Sequence, residues 1–243
     1  MSFEGQRVLV MGGSTGIGEA TAASFAAAGA QVTITGRAKS RLDAAAERIG
    51  YPVETREVDA TDAEAVGTFF AAGGPADHLV LALSPGAVGL GPFAGLDDDA
   101  LRQAFDGKFF GHVAVLRAAL PKLRGAGTVT LISAVSAQMA VPGTVALAAV
   151  NGALEAIVPP LAVELAPIRV NAVSPGVIDT SWWDFMPDEQ RRATFEATAA
   201  STPAGRVGRP EDVARAVVFL AGHEFLTGTV LAVTGGAHLP TFR

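Results

Sequence analysis

The stretch Arg7-Val8-Leu9-Val10-Met11-Gly12-Gly13-Ser14-Thr15-Gly16-Ile17-Gly18 decides how the rest of the chain is read. Arg7–Met11 is a short apolar run that ends in glycines, which predicts a buried strand. Gly16–Gly29 is rich in alanine, carries Ile17 and Phe25, and predicts a helix that stops at Gly29. A glycine turn between strand and helix lets the backbone approach an anion, and the helix N-terminus adds free N–H groups and positive potential. The spacing Gly12-x-x-x-Gly16-x-Gly18 is wider than G-x-G-x-x-G. The same residues also suit a strand–helix turn with no ligand.

Outward from this turn the pattern alternates. Strands are expected at Gln31–Thr35, Val53–Val58, His78–Leu83, Gly127–Ile132, Ile168–Val173 and Thr229–Val233. Helices are expected at Lys39–Ile49, Thr61–Ala72 (capped by Thr61 or Asp59), Thr144–Leu165 and Pro210–Gly222, with one or two long helices in Asp97–Leu123. Ser84–Pro92 is a glycine- and proline-rich loop, and Trp182–Thr198 reads as mobile helix or loop. Pro159-Pro160 predicts a kink or break near residues 155–160, because proline lacks a donor and crowds the preceding turn. Strand–helix alternation implies an α/β fold with a doubly wound parallel sheet, in a single domain over residues 1–243.

Composition narrows the chemistry. The chain has 243 residues, 18 Lys+Arg against 24 Asp+Glu, a net charge of -6 and no Cys. The acidic balance argues against nucleic acid or an anionic membrane as partner. Zero Cys excludes disulfides, thiol nucleophiles and Cys-ligated metal, and the four His show no metal-ligand spacing, so no metal site is expected. Gly125–Leu154 is uncharged, but Pro142-Gly143 and scattered polar residues argue against a membrane span. No signal peptide is visible, and a cytoplasmic location is expected. The single tyrosine is Tyr51.

Met11-Gly12-x-x-x-Gly16-x-Gly18, Val58-Asp59-Ala60, Val170-Asn171-Ala172-Val173-Ser174-Pro175-Gly176, Thr180, Gly208–Ala214 and Gly228–Gly236 together resemble the short-chain dehydrogenase/reductase family over nearly the whole chain. The resemblance implies a Rossmann-type fold and a nicotinamide dinucleotide. Its contacts would come from Gly12, Ser14, Thr15, Gly16, Ile17, Gly18, Asp59 and Ala60. Leu83, Ser84, Pro85, Pro175, Gly176, Val177, Ile178 and Thr180 would complete them. Gly36-Arg37 ends the second strand where an acid would bind a ribose 2′-OH, so Arg37 points to NADP(H) in preference to NAD(H). With Lys39 and Arg41 it also suits a solvated basic turn.

The family's hydride chemistry uses Asn, Ser, Tyr and Lys. By alignment their positions fall on Lys108, Ala134, Leu147 and Asn151, all four replaced, although Ser133 and Ser136 flank Ala134 and leave a shifted register open for the serine alone. Tyr51 precedes the third strand, on the adenine half. Lys108 and Asn151 look like an exchange of residue types across two packed helices, which would return a cation to the nicotinamide ribose; a structural role for Lys108 is the alternative. His112, one turn beyond Lys108, is expected to be a surface or interface residue rather than a proton carrier. Three functions follow: an atypical NADP(H)-dependent oxidoreductase on a carbonyl/alcohol substrate, an inactive NADP(H)-binding sensor or partner subunit, or a non-redox enzyme using the same pocket. Gly86–Phe93, Gln138–Pro142 and Ser181–Thr198 would bound a pocket for a small, apolar molecule. The resemblance also implies a homodimer or homotetramer.

Overall fold

Residue alternation along the first strand sets the layers. In β1 (Arg7–Met11), Val8 and Val10 join one buried cluster while Leu9 and Met11 join another, as a period of two dictates for a strand covered on both faces. The computed structural model describes residues 1–239. Six further strands are β2 (Gln31–Gly36), β3 (Val53–Glu57), β4 (Ala76–Leu81), β5 (Leu123–Ile132), β6 (Arg169–Pro175) and β7 (Val230–Val233). They form one sheet in the order β3-β2-β1-β4-β5-β6-β7, with every pair parallel. The order reverses between β1 and β4, where a crevice opens at the carboxyl ends of the strands.

Helices cover both faces. On one face, α1 (Gly16–Ala27), α2 (Lys39–Ile49) and α9 (Pro210–Gly222) bury Phe25, Leu42, Val217 and Leu220. On the other lie α3 (Ala63–Ala72), α5 (Gly111–Ala119), α6 (Val145–Ala156) and α7 (Val158–Glu164), with Phe70, Val115, Leu154 and Val158 in the core. The remaining helices are α4 (Asp98–Ala104) and α8 (Asp188–Ser201).

Several expected boundaries move. The third helix starts at Ala63, and its cap is Asp62, whose carboxylate accepts from Glu64 N (2.9 Å) and Ala65 N (3.0 Å). Asp59 instead accepts from Thr61 N and Oγ1, closing the turn before the helix. Strand β4 starts and ends two residues early, and β5 reaches back to Leu123. The Asp97–Leu123 region is not one regular helix: α4 and α5 are joined by a π-helical turn, Phe105–Phe110, and a short 3-10 turn follows at Leu120–Lys122. Trp182–Thr198 is ordered as a 3-10 turn, Ser181–Phe185, followed by α8.

The expected break occurs at Ile157, between α6 and α7. Pro159 and Pro160 thereby fall in the first turn of α7, where backbone N–H groups have no intrahelical acceptor to lose. Val145–Glu164 is long and apolar enough to cross a membrane by length and composition alone. Here it packs as core, with Ala146, Val150, Leu154, Val158 and Ala162 buried.

His78 ties the sheet to the N-terminal segment. Its Nδ1 lies 2.7 Å from Thr128 Oγ1 and its Nε2 2.6 Å from Gln6 Oε1, and Phe3 and Phe25 pack on the ring. A neutral ring suits both partners, since Nε2–H donates to Gln6 and Nδ1 accepts from the threonine hydroxyl. Burial pushes its pKa down to about 4. The folded value lies below the unfolded one, so stability is full above pH 6.5 and is lost as pH falls toward 4. The loss should reach about 3 kcal/mol. Urea unfolding at pH 7 and pH 4.5 should show a shallower acid loss in His78→Leu than in wild type; equal losses would refute this.

Candidate active site

The glycine turn is built by close backbone approach. A Cβ at Gly12, whose φ is +85°, would lie 2.5 Å from Ala82 O; one at Gly18 would lie 2.1 Å from Gly12 O. Only glycine lets the ends of β1 and β4 and the start of α1 converge this tightly. Thr15 caps α1 in extended conformation, and its side chain makes no capping hydrogen bond. The first N–H groups of α1 therefore open toward the crevice with the positive end of the helix dipole. The cradle fits a pyrophosphate.

Arg37 follows Gly36 at the end of β2, is exposed, and makes no ion pair among the described residues. Lys39 is engaged by Asp43 (2.7 Å), whereas Arg41, like Arg37, is exposed and makes no ion pair among the described residues. The Asp59 carboxyl is held below the usual carboxylate range by the Thr61 hydrogen bonds, with nearby Arg37 adding to the effect. Leu83, Ser84 and Pro85 follow β4, and Pro85 packs against Gly107 in the π turn. Ser84 Oγ accepts from Gly86 N at 3.1 Å.

The carboxyl end of β6 closes the other side. Gly176 approaches the Thr234 backbone so closely that a Cβ would lie 2.9 Å from Thr234 Cα. Val177 O accepts from Gly208 N (3.0 Å), and Ile178 bridges to Gly208. This pairing directs Thr180 across the crevice: a Cβ on Gly16 would lie 3.1 Å from Thr180 Cγ2. Residues 164 positions apart thus meet at the N-terminus of α1. Beyond Thr180, Trp182, Trp183, Phe185 and Phe195 form one aromatic cluster, anchored by Trp183 Nε1 donating to Ile178 O at 2.9 Å.

A polar cluster sits where the π turn meets α6. Lys108 Nζ donates to Ser133 O at 3.3 Å. Lys108 keeps some surface exposure, yet burial of the amine pushes its pKa down to about 8, against a raising influence from Glu155. Asn151 is 2% exposed; its Nδ2 donates to Ser136 Oγ (3.1 Å) and Leu147 O (2.9 Å), while Oδ1 has no partner among the described residues. Ala134 and Leu147 are partly buried and offer no side-chain donor or acceptor.

Two findings differ from expectation. His112 is fully buried rather than at a surface or interface, because α5 lays that face on the sheet. Its Nδ1 is 2.7 Å from Lys108 O and its Nε2 3.0 Å from Leu81 O. Two carbonyls would favour a charged ring, but burial and the Lys108 charge pull the other way and lower its pKa to about 4. The buried neutral ring is left with one proton and hydrogen-bonds one carbonyl. Glu155, unnoticed in the sequence, accepts from Ser133 Oγ (2.7 Å), Ser174 Oγ (2.8 Å) and Gln138 Nε2 (3.0 Å).

An open parallel sheet, a glycine cradle at its switch point and a helix N-terminus facing it define a doubly wound α/β protein of the nucleotide-binding type. Residues 12–238 match the family model described as Enoyl-(Acyl carrier protein) reductase. The chain is 31% identical to the short-chain dehydrogenase/reductase ATR9 of Stachybotrys chlorohalonatus, over 98% of this chain and 99% of the relative. It is 35% identical to galactitol 2-dehydrogenase (L-tagatose-forming) of Cereibacter sphaeroides, over 96% and 95% respectively. The crystal structure of a small-chain dehydrogenase in complex with NADPH superposes with a TM-score of 0.84 at 31% identity, over 97% of this chain and 99% of that one. The chain belongs to the short-chain dehydrogenase/reductase family of oxidoreductases.

Proposed function

We infer that the protein is an NADP(H)-dependent oxidoreductase acting on a carbonyl or alcohol group, with a non-standard proton-handling centre at Lys108 and Asn151. The observation that carries this is the intact cradle: Gly12, Gly16 and Gly18 hold the N-terminus of α1 open, and Thr180 lies over it. A turn that bound no cofactor would not need Thr180 brought across the crevice.

When bound, the nicotinamide exchanges a hydride with the carbonyl carbon of the substrate. This chain's residues would do the rest. Ser14, Thr15 and Ile17 border the cradle, Asp59 and Ala60 the adenine side, and Pro175, Gly176, Val177 and Ile178 the opposite wall. Arg37 would fork onto a ribose 2′-phosphate. Asn151 Oδ1, a buried acceptor without a partner among the described residues, suits a ribose hydroxyl. The Lys108 ammonium holds a transferable proton near neutral pH, which is what a general acid requires. The Trp182–Phe185 cluster favours an apolar substrate. As family members do, the protein would act as a homo-oligomer.

A second reading, an inactive NADP(H) sensor or partner subunit, draws on Ala134 and Leu147, which cannot polarise or protonate a substrate oxygen. Calorimetry with NADPH, followed by absorbance assays against a panel of ketones and aldehydes, separates the two. Turnover that falls at least tenfold in Lys108→Ala supports the oxidoreductase. Tight NADPH binding without turnover supports the sensor, and absence of binding to NADPH and NADH defeats both.

A further inference from the structure

We propose that Glu155 is the positioning residue that keeps the Lys108 side chain in its ammonium form and holds it at the mouth of the crevice. The inference deepens the oxidoreductase reading, on which the role of Lys108 rests, but its test does not.

The geometry is a set of converging hydrogen bonds. Ser133 and Ser174 directly follow the paired residues Ile132 and Val173 of β5 and β6, and both turn their hydroxyls to α6. Glu155 Oε1 receives both, and Oε2 receives Gln138 from the segment that leads from β5 to α6. Ser133 is shared: its hydroxyl donates to Glu155 while its carbonyl accepts from Lys108. One carboxylate thus joins two strand ends, the segment between β5 and α6 and, through Ser133, the π turn.

The charge balance explains why an acid is needed there. A buried amine sheds its proton unless an opposite charge is near. His112 of α5, whose ring lies 2.7 Å from the Lys108 carbonyl, is neutral at neutral pH, and the nearby charged residues in sequence, Arg102 and Asp106, are exposed. The residue after β5 brings its carbonyl, Ser133 O, which carries no net charge. Glu155 of α6 is the charge that favours the ammonium. Any replacement that keeps the serine contacts but removes the charge should leave the fold intact and neutralise the lysine.

The chain has three lysines, Lys39, Lys108 and Lys122, so a protein labelled with 13C at lysine Cε gives three signals to titrate. Lys39 pairs with Asp43, and Lys122 donates to the carbonyls of Ala71 and Gly73, so both serve as internal controls. In Glu155→Gln the Lys108 midpoint should fall by about one unit while the other two hold. At pH 7.5 its charged fraction would then drop from about three quarters to about one quarter. A shift in the same direction but smaller is expected in Glu155→Asp, which also serves if the glutamine variant does not fold. Ser174→Ala removes one hydrogen bond without charge and should leave the midpoint within about 0.3 units. An unmoved Lys108 midpoint in the Glu155 variants would overturn the proposal, as would a shift in Ser174→Ala equal to theirs. Any turnover found should follow the same rule, with Glu155→Gln recovering activity at lower pH.

Discussion

Gly18→Ala is expected to weaken NADPH binding at least 100-fold by calorimetry. The added Cβ would lie 2.1 Å from Gly12 O, 2.9 Å from Gly12 C and 3.1 Å from Gly13 Cα. All three are backbone atoms of the turn itself, so no rotamer change relieves the overlap. Either α1 withdraws from β1 or the turn opens, and both displace the N–H groups that would hold the pyrophosphate. Helix propensity points the other way, since alanine is favoured over glycine by about 1 kcal/mol in a helix interior. The sign therefore discriminates. Gly67→Ala in α3, where an added Cβ meets nothing within 4 Å, should leave binding unchanged and stability equal or slightly raised. Gly18→Ala with NADPH affinity within threefold of wild type would refute the cradle.

Arg37→Asp should invert the cofactor preference. The wild-type guanidinium is exposed at the end of β2, makes no ion pair among the described residues, and is close enough to Asp59 to lower its pKa. Charge-assisted hydrogen bonds to a phosphate contribute roughly 1.5–3 kcal/mol, and an aspartate would add repulsion, so NADPH should bind about 100-fold more weakly. The new carboxylate can accept the ribose 2′-OH of NADH, which should bind more tightly than in wild type. Arg37→Ala should lose the preference for NADPH without that gain. Unchanged affinity ratios in Arg37→Asp would place the 2′-phosphate elsewhere or remove the preference altogether.

The parallel sheet was legible because its strands are short apolar runs between glycines and amphipathic helices. Lys39–Ile49 fell on its observed bounds, since its apolar face and Gly50 are purely local signals. The proline pair located the helix break for the same reason. What escaped was long-range or depended on one hydrogen bond. Thr61 and Asp59 were the expected caps, but the chain path brings the Asp62 carboxylate to the helix N–H groups instead. The π turn at Phe105–Phe110 leaves no local mark, because its residues suit an α-helix equally well. His112 looked superficial beside a lysine, although α5 buries that face completely. Of the candidate site, the glycines and Thr180 were visible by motif and are brought together. Lys108 and Asn151 were visible by position. Glu155 had a faint signal: it is the first charge after the uncharged run Gly125–Leu154, four residues past Asn151 on the same helix. Its partners come from three other segments, and no local pattern connects them.

Glu155 also sits at the middle of the 20-residue stretch Val145–Glu164. As the nascent chain leaves the ribosome, that is the segment an insertion machinery would sample before the sheet exists to receive it. An acidic side chain at the centre of such a span raises the cost of entering lipid by about 3 kcal/mol, and Pro159-Pro160 interrupts the helix it would need. The carboxylate proposed to organise the folded crevice is therefore also the charge that makes this apolar stretch costly to bury in lipid.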